Sequence, residues 1–268
     1  MRNYGRQVAH LSLHFQCLPE ELLEEQIEDY LAGLARLPSC PSRSTFKHCV
    51  YGLRFYFRLI GLPKRSIALP SIKATKKLPV VLNRSECKAL FKAPHLLKHR
   101  ILLCLMYSAG LRVGELCRLQ ISEVDFERQL IHIQETKGQK SRYVPLSPLL
   151  AKGLKQYIQA EQPHRWLFNG VEYGSPYSLR GVQWVMQQAV GKAGITKEHV
   201  CSHTLRHSYA THLLEDGLDI VSIQQLLGHS HIETTMVYLH VMQPQGKKPH
   251  SPFDTLVARR LWQSLSTK

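Results

Sequence analysis

Between Gly61 and Val81 the apolar periodicity of the chain lapses, Pro63, Pro70 and Pro79 recur, and the only charges are those of Lys64, Arg65, Lys73, Lys76 and Lys77. Each proline lacks a backbone donor and pushes the residue before it out of the helical region, so no continuous helix or interior strand runs through this stretch. An extended basic linker is the expectation, with a smaller unit at 1–62, the linker at 63–81 and a larger unit at 82–268. Of the 268 residues 44% are hydrophobic, enough for each unit to bury a core of its own.

In the smaller unit, Tyr4 to Phe15, Glu20 to Ala35 and Arg43 to Ile60 read as three helices. Pro19 precedes the second, and Glu20, Glu21, Glu24 and Glu25 crowd its first turns, where the positive end of a helix dipole favours acids. On the third, at about 100° per residue, Arg43, Lys47, Arg54 and Arg58 fall within about 60° of one another, beside an apolar stripe of Phe46, Val50, Leu53, Phe57 and Ile60. A merely solvated helix face ordinarily mixes both signs. Here no acid occurs between Asp29 and Glu86, against eleven Lys or Arg, so the stripe is either solvated or faces a run of phosphates.

The whole chain carries 35 Lys and Arg against 20 Asp and Glu, a net +15, which favours a polyanionic partner and nucleic acid first. Lys76 and Lys77 in the linker join the basic stripe as candidate DNA contacts. The longest uncharged apolar-rich stretch, Ile101 to Leu111, falls short of the roughly 18 residues that suggest a membrane span, and Met1 to His10 has no signal-peptide core. Seven cysteines, an odd set with no C-x-x-C pair, indicate neither a closed disulfide framework nor a structural zinc knuckle. A cytoplasmic, nucleoid-associated protein is expected, with no membrane partner.

In the larger unit Asn83 or Ser85 can cap a helix running through Phe91, and Lys98 to Ser108 reads as a buried helix ending at Gly110. Val124 to Phe126, Leu130 to Gln134 and Arg142 to Leu146 have short-strand character, the last two joined across Lys137-Gly138-Gln139-Lys140. Leu149 to Ala160, Ser178 to Ala193, His203 to Glu215, Ile220 to Leu227 and Glu233 to His240 are helical. The fold class is therefore mainly α with a small antiparallel β-sheet (α+β).

Three constellations carry chemistry. In S-A-G-L-R-V-G-E-L (108–116), Gly110 breaks one helix and Arg112 opens the next, with Glu115 within reach on the same face; alone, this is as well read as a surface ion pair. In H-T-L-R-H (203–207), His203 and Arg206 share one helical face, so an imidazole and a guanidinium can converge on one phosphate. In L-G-H-S-H-I-E-T-T-M-V-Y-L-H (227–240), Gly228 ends a helix, His229 sits in the turn and Tyr238 lies on the next short helix.

These segments, in this order, resemble the tyrosine recombinase (phage integrase) family over most of the chain. The family's signature is an Arg, a Lys on a β-hairpin, His-x-x-Arg, a His or Trp, and a nucleophilic Tyr. The matching positions are Arg112 in G-L-R-V-G-E-L, Lys137 in T-K-G-Q-K-S-R-Y-V-P-L, His203 and Arg206 in H-T-L-R-H, His229 in L-G-H-S, and Tyr238 in T-T-M-V-Y. The resemblance implies a tyrosine-recombinase catalytic domain preceded by a helical core-binding domain that clamps double-stranded DNA. It also implies a homo-oligomer, two subunits on each site and four in synapsis.

By that resemblance Tyr238 attacks the phosphodiester, leaving a 3′-phosphotyrosine and a 5′-hydroxyl. Arg112 and Arg206 stabilise the charge on the non-bridging oxygens, and His229 hydrogen-bonds one of them. His203 takes and returns the tyrosine proton, Lys137 protonates the leaving oxygen, and Glu115 supports the architecture. Lys140, three residues on in the same turn, is the alternative acid, and otherwise touches backbone phosphate. The covalent link conserves the bond energy, so no cofactor, ATP or Mg²⁺ is expected. His207 and His212 make a histidine-rich stretch with His203, but a zinc site needs three or four convergent ligands and the cysteines lie far along the chain, so no metal is expected either. His207 is expected to act as a support within its helix.

The amino terminus opens at once on its first helix, so the arm-binding domain of some phage integrases is not expected. The tail segment H-S-P-F-D-T-L (250–256) is similar to the ends of integron and transposon-associated integrases, and the span from Tyr173 to His203 is short for a true integron enzyme. A transposon- or phage-type integrase moving a mobile element is the reading, with a recombinase resolving chromosome or plasmid dimers as the alternative. A catalytically silent DNA-binding protein would lack a member of the set, and none is missing. A type IB topoisomerase shares the chemistry but not the compact core-binding unit.

Overall fold

A computed structural model describes residues 2–37, 41–65, 67–70, 78–134, 141–172 and 174–242, apart from the side chains of Arg2 and Arg43. The chain divides into two compact units, Met1–Lys77 and Leu78–Lys268.

The first unit holds α1 (Arg2–Phe15), α2 (Glu24–Arg36) and α3 (Arg43–Leu59). Its core gathers Leu11, Ile27, Leu31, Phe46, Val50, Leu53 and Phe57, so the apolar stripe of α3 faces inward as its spacing predicts. Ile60 is the exception. It caps the helix, Gly61 turns the chain away at φ 80°, and the side chain is left 40% exposed. The second helix also begins later than expected: Pro19–Glu21 form a 3-10 turn, Leu22 and Leu23 are extended, and α2 opens at Glu24. Burial of Leu22 and acceptance of the Leu23 N–H by Gln26 Oε1 at 2.8 Å stabilise this break.

The expected linker does not start at 63. Ile67 is fully buried in the helical core, and the Ala68 N–H donates to Glu28 Oε1 at 3.1 Å. Arg65 is a staple. Its guanidinium lies 4.9 Å from the centre of the Phe57 ring and donates to the carbonyls of Glu20 and Leu22, satisfying acceptors that the broken helix leaves open.

The second unit runs through α4 (Arg84–Lys92), α5 (Leu97–Ser108), α6 (Val113–Cys117), β1 (Val124–Asp125), β2 (Leu130–Ile133), β3 (Arg142–Pro145), α7 (Pro148–Glu161), α8 (Leu179–Lys192), α9 (Ser202–Glu215), α10 (Ile220–Leu227) and α11 (Glu233–Met236), then a 3-10 turn at Val237–His240. Asn83 caps α4 through the Glu86 N–H while Glu86 reaches back to the Asn83 N–H, a reciprocal capping box. The strands form an antiparallel sheet in the order β1-β2-β3. Ile131 pairs with Val144 on the buried face, while His132 stacks on Tyr143 on the other.

Helix α9 packs against α5, α8, α10 and the final 3-10 turn. It buries Leu205, Arg206, Ser208, Tyr209, Ala210, Thr211 and His212, residues that go most of the way round the helix, as suits an internal element. Everything that follows is hung on this helix. No helix among the described residues is long and apolar enough to cross a membrane.

Candidate active site

The site assembles around the C-terminal end of α10, where a helix leaves its last carbonyls without intrahelical partners. Three guanidiniums take three successive carbonyls. Arg142 Nε donates to Leu226 O at 2.7 Å, Arg206 Nη2 to Leu227 O at 2.6 Å, and Arg112 Nη2 to Gly228 O at 3.3 Å. Cations are favoured at this negative end of the helix dipole.

Two glycines make the approach possible. Gly228 lies at φ 63°, and a Cβ there would come within 3.1 Å of the Arg142 side chain. Gly110 lies at φ 57° with Tyr209 where its Cβ would go, and its carbonyl accepts from Arg206 Nη1 at 2.6 Å. Residues with a side chain rarely adopt this left-handed conformation; at Gly110 one would also clash with the Tyr209 ring, and at Gly228 it would press on the Arg142 side chain.

Glu115 binds the cluster together. It accepts from Arg142 through both oxygens, at 3.0 and 2.9 Å, from Arg112 Nη1 at 2.9 Å and from the Arg112 N–H at 2.8 Å. Burial pushes its carboxyl up, but the hydrogen bonds and charge of Arg142 and the hydrogen bonds of Arg112 outweigh that and hold it at about 2. The expectation of a supporting Glu thus acquires a geometry: it is a buried two-arginine clamp.

One carboxylate against three guanidiniums leaves the cluster positively charged. Burial first, then Arg112, pushes the Arg206 guanidinium down to about 9, so it remains charged at neutral pH but lacks a full complement of negative charge. An anion with several oxygens suits such a place, and a phosphodiester is one. The same field acts on the imidazoles. Burial, then Arg206 and Arg112, lowers His203; burial, then the three arginines, brings His229 to about 4. His229 Nδ1 sits 2.9 Å from the fully buried Thr235 hydroxyl, which fixes the ring.

Tyr238 is 2% exposed and packs with Tyr209, Ala210, Ile223 and Leu227. Burial raises its phenol above the ordinary value of about 10, while Arg206 and Arg112 work in the opposite direction. Its hydroxyl meets His207 Nδ1 at 3.1 Å. His203 stands one turn earlier on α9, its ring centre 6.4 Å from that of His207.

The structure therefore brings Arg112, Glu115, His203, Arg206, His229 and Tyr238 into one region. Lys137, Lys140, Lys76, Lys77 and the tail motif at 250–256 lie outside the described residues, as does the side chain of Arg43. In the first unit Lys47 and Arg58 are exposed. Arg54 departs from the expected open stripe: Nη2 and Nε donate to Ile67 O at 2.8 and 3.3 Å, because the packed segment after α3 supplies an acceptor. Among the described residues no three His, Cys, Asp or Glu side chains converge as metal ligands.

Sequence reasoning passed over Arg142, Thr235 and the contact of His207 with Tyr238. A signal existed for Arg142, since the period of two in R-Y-V-P-L places it on the face of the buried Val144 and Leu146, where a charge needs a partner.

Comparison with known proteins gives the family. Residues 80–244 match the phage integrase family. A Sinorhizobium fredii protein named as an integrase/recombinase is 34% identical over 258 residues, spanning 95% of this chain and 82% of its own length. Tyrosine recombinase XerA of Thermococcus onnurineus is 38% identical over 205 residues, 75% of this chain and 72% of its own. Among solved structures, the XerH site-specific recombinase bound to palindromic difH substrate, a post-cleavage complex, shares the fold at a TM-score of 0.69 and 23% identity, covering 93% of this chain and 73% of that one. The class defined by fold and site is the tyrosine recombinases, enzymes that cleave and rejoin DNA through a tyrosine intermediate. The chain belongs to the phage integrase family.

Proposed function

We propose that this protein is a site-specific recombinase that cuts double-stranded DNA, holds the 3′ end on Tyr238 and rejoins it to a new 5′-hydroxyl, moving a mobile element. The observation that carries the chemistry is the three-arginine cluster on the α10 carbonyls beside a buried tyrosine. Arg112 and Arg206 stabilise the charge that builds on the non-bridging oxygens, preorganised by backbone acceptors and by Glu115. His229, oriented by Thr235, donates from its other nitrogen to one of those oxygens. Lys137 protonates the departing 5′-oxygen, and Lys140 grips backbone phosphate. Helix α9 offers two imidazoles for the phenol proton, His203 and His207.

The first unit is a core-binding domain that grips backbone phosphates through Lys47 and Arg58, with Arg43, Lys76 and Lys77 adding charge. Two copies occupy a site and four form the synapse, acting at the nucleoid in the cytoplasm. Mobile-element movement is supported by the S. fredii relative, matched over 95% of this chain, and by the H-S-P-F-D-T-L segment. The XerA relative favours a second reading, resolution of chromosome or plasmid dimers.

One experiment separates them. Purified protein is incubated with sheared genomic DNA, and fragments covalently bound after denaturation are sequenced. Element movement predicts fragments from the boundaries of the element carrying the gene; resolution predicts a single chromosomal or plasmid locus. Capture of fragments without any shared sequence would overturn site-specific action.

A further inference from the structure

We infer that Arg142 is a positioning residue for protonation of the leaving 5′-oxygen: it roots strand β3, and with it the connection that carries Lys137, on the arginine cluster. This rests on the reading of Lys137 as the acid of the cleavage step. Ile133 and Arg142 pair at the end of the β2–β3 ladder, so residues 134–141, Lys137 among them, join the two strands just beyond Arg142. The ladder is short. Strands β2 and β3 have four residues each and β1 only two, and a sheet of that size is marginal without outside support.

Arg142 supplies that support. Its side chain is 8% exposed; Nη1 and Nη2 donate to the two oxygens of Glu115 and Nε donates to Leu226 O, so one planar fork joins β3 to α6 and to the end of α10. The guanidinium spends these donors on protein acceptors and acts through its neighbours. Glu115 holds Arg112 at two points that do not involve Arg142, the Nη1 and backbone N–H bonds. Loss of Arg142 therefore falls on the hairpin side: Arg112 and Arg206 keep their carbonyl and carboxylate partners, while β3 loses three hydrogen bonds to the cluster. A displacement of about 1 Å in a reacting group costs on the order of 10²-fold in rate.

The step balances. The Tyr238 oxygen–phosphorus bond forms as the phosphorus–5′-oxygen bond breaks, and the phenol proton passes to an imidazole of α9. The departing 5′-oxygen keeps the electron pair of its bond and takes a proton from the Lys137 ammonium. Rejoining reverses both transfers. Sulfur in place of the bridging 5′-oxygen leaves as a thiolate, which needs no proton because a thiol is far more acidic than an alcohol. The charge on the non-bridging oxygens still needs the arginines.

The test removes the demand for an acid without touching the phosphate clamp. Nicked suicide duplexes with oxygen or sulfur at the bridging 5′ position of the scissile phosphate are cleaved by wild type, Arg142→Met, Arg142→Lys, Lys137→Ala and Arg112→Ala, at a temperature below the melting range of each. Arg142→Met should lose about 10²-fold on the oxygen duplex with DNA binding retained, and come within about fivefold of wild type on the sulfur duplex. Arg142→Lys keeps the buried charge but not the fork, so it should lose less on oxygen and be restored in the same way. Lys137→Ala should also be restored by sulfur, and Arg112→Ala should be slow on both duplexes. A loss of folded enzyme slows both duplexes equally, so equal slowing in both Arg142 variants overturns the inference. Cleavage of the oxygen duplex within about threefold of wild type in both variants overturns it as well. Restoration of Lys137→Ala without restoration of Arg142→Met overturns the inference alone, whereas Lys137→Ala left slow on sulfur removes the reading of Lys137 as the acid.

Discussion

Arg142→Met removes the charge of the residue that ties β3 to Glu115 and to the end of α10, while keeping most of its length. Three hydrogen bonds disappear, two to the carboxylate and one to Leu226 O. The side chains of Arg142 and Glu115 are only 8% and 4% exposed, so water cannot easily replace what is lost. Breaking a buried ion pair from one side costs about 3–5 kcal/mol, chiefly because the other charge is stranded. Arg112 still holds Glu115 through its guanidinium and N–H, which sets the expectation at the lower end, about 3 kcal/mol. For a domain of this size each kcal/mol moves the melting temperature by about 2–4 °C, giving a fall of about 6–12 °C. Thermal and urea unfolding of the variant measure it. Glu115→Gln in the Arg142→Met background should recover part of the loss, since it removes the stranded charge. A fall under about 2 °C, or a double variant that loses the full sum of both single changes, would refute the clamp.

Two further expectations follow from the same geometry. The Glu115 carboxyl is held at about 2 in the folded protein, below its ordinary value of about 4.5, so its contribution to stability is complete above about pH 4.5 and is lost as pH falls towards 2; denaturant midpoints across that window should fall more in wild type than in Glu115→Gln, and parallel curves would contradict the pairing. Replacing Lys47 and Arg58 with Gln should leave the melting temperature within about 2 °C and reduce the salt slope of DNA binding by about one unit per contact, whereas Arg54→Gln should destabilise the first unit by loosening the Ile67 segment; an unchanged salt slope in the Lys47 and Arg58 variants would mean that this face is only solvated.

Much of this was legible in the chain. The inward stripe of α3 and the three short strands follow from local periodicity; H-T-L-R-H places its side chains because four residues make about one helical turn, and L-G-H-S is legible because its glycine ends α10. What stayed hidden depends on acceptors brought from far along the chain. Arg65 and Arg54 look like free cations until the broken start of α2 and the carbonyl of Ile67 come beside them. Arg142 draws its partners from residues 115 and 226, which no local pattern links. His207 lies next to Arg206 in sequence but meets Tyr238 only because the final 3-10 turn packs on α9.

The central claim is that Tyr238 forms the covalent bond to DNA. The direct measurement is to trap the protein on a nicked suicide duplex in EDTA, digest the denaturant-stable adduct and identify the modified residue by mass spectrometry. The account predicts a 3′-phosphate on Tyr238, with no adduct in Tyr238→Phe although DNA is still bound. An adduct on any other residue, an adduct persisting in Tyr238→Phe, or cleavage that stops when divalent metal is removed would contradict it.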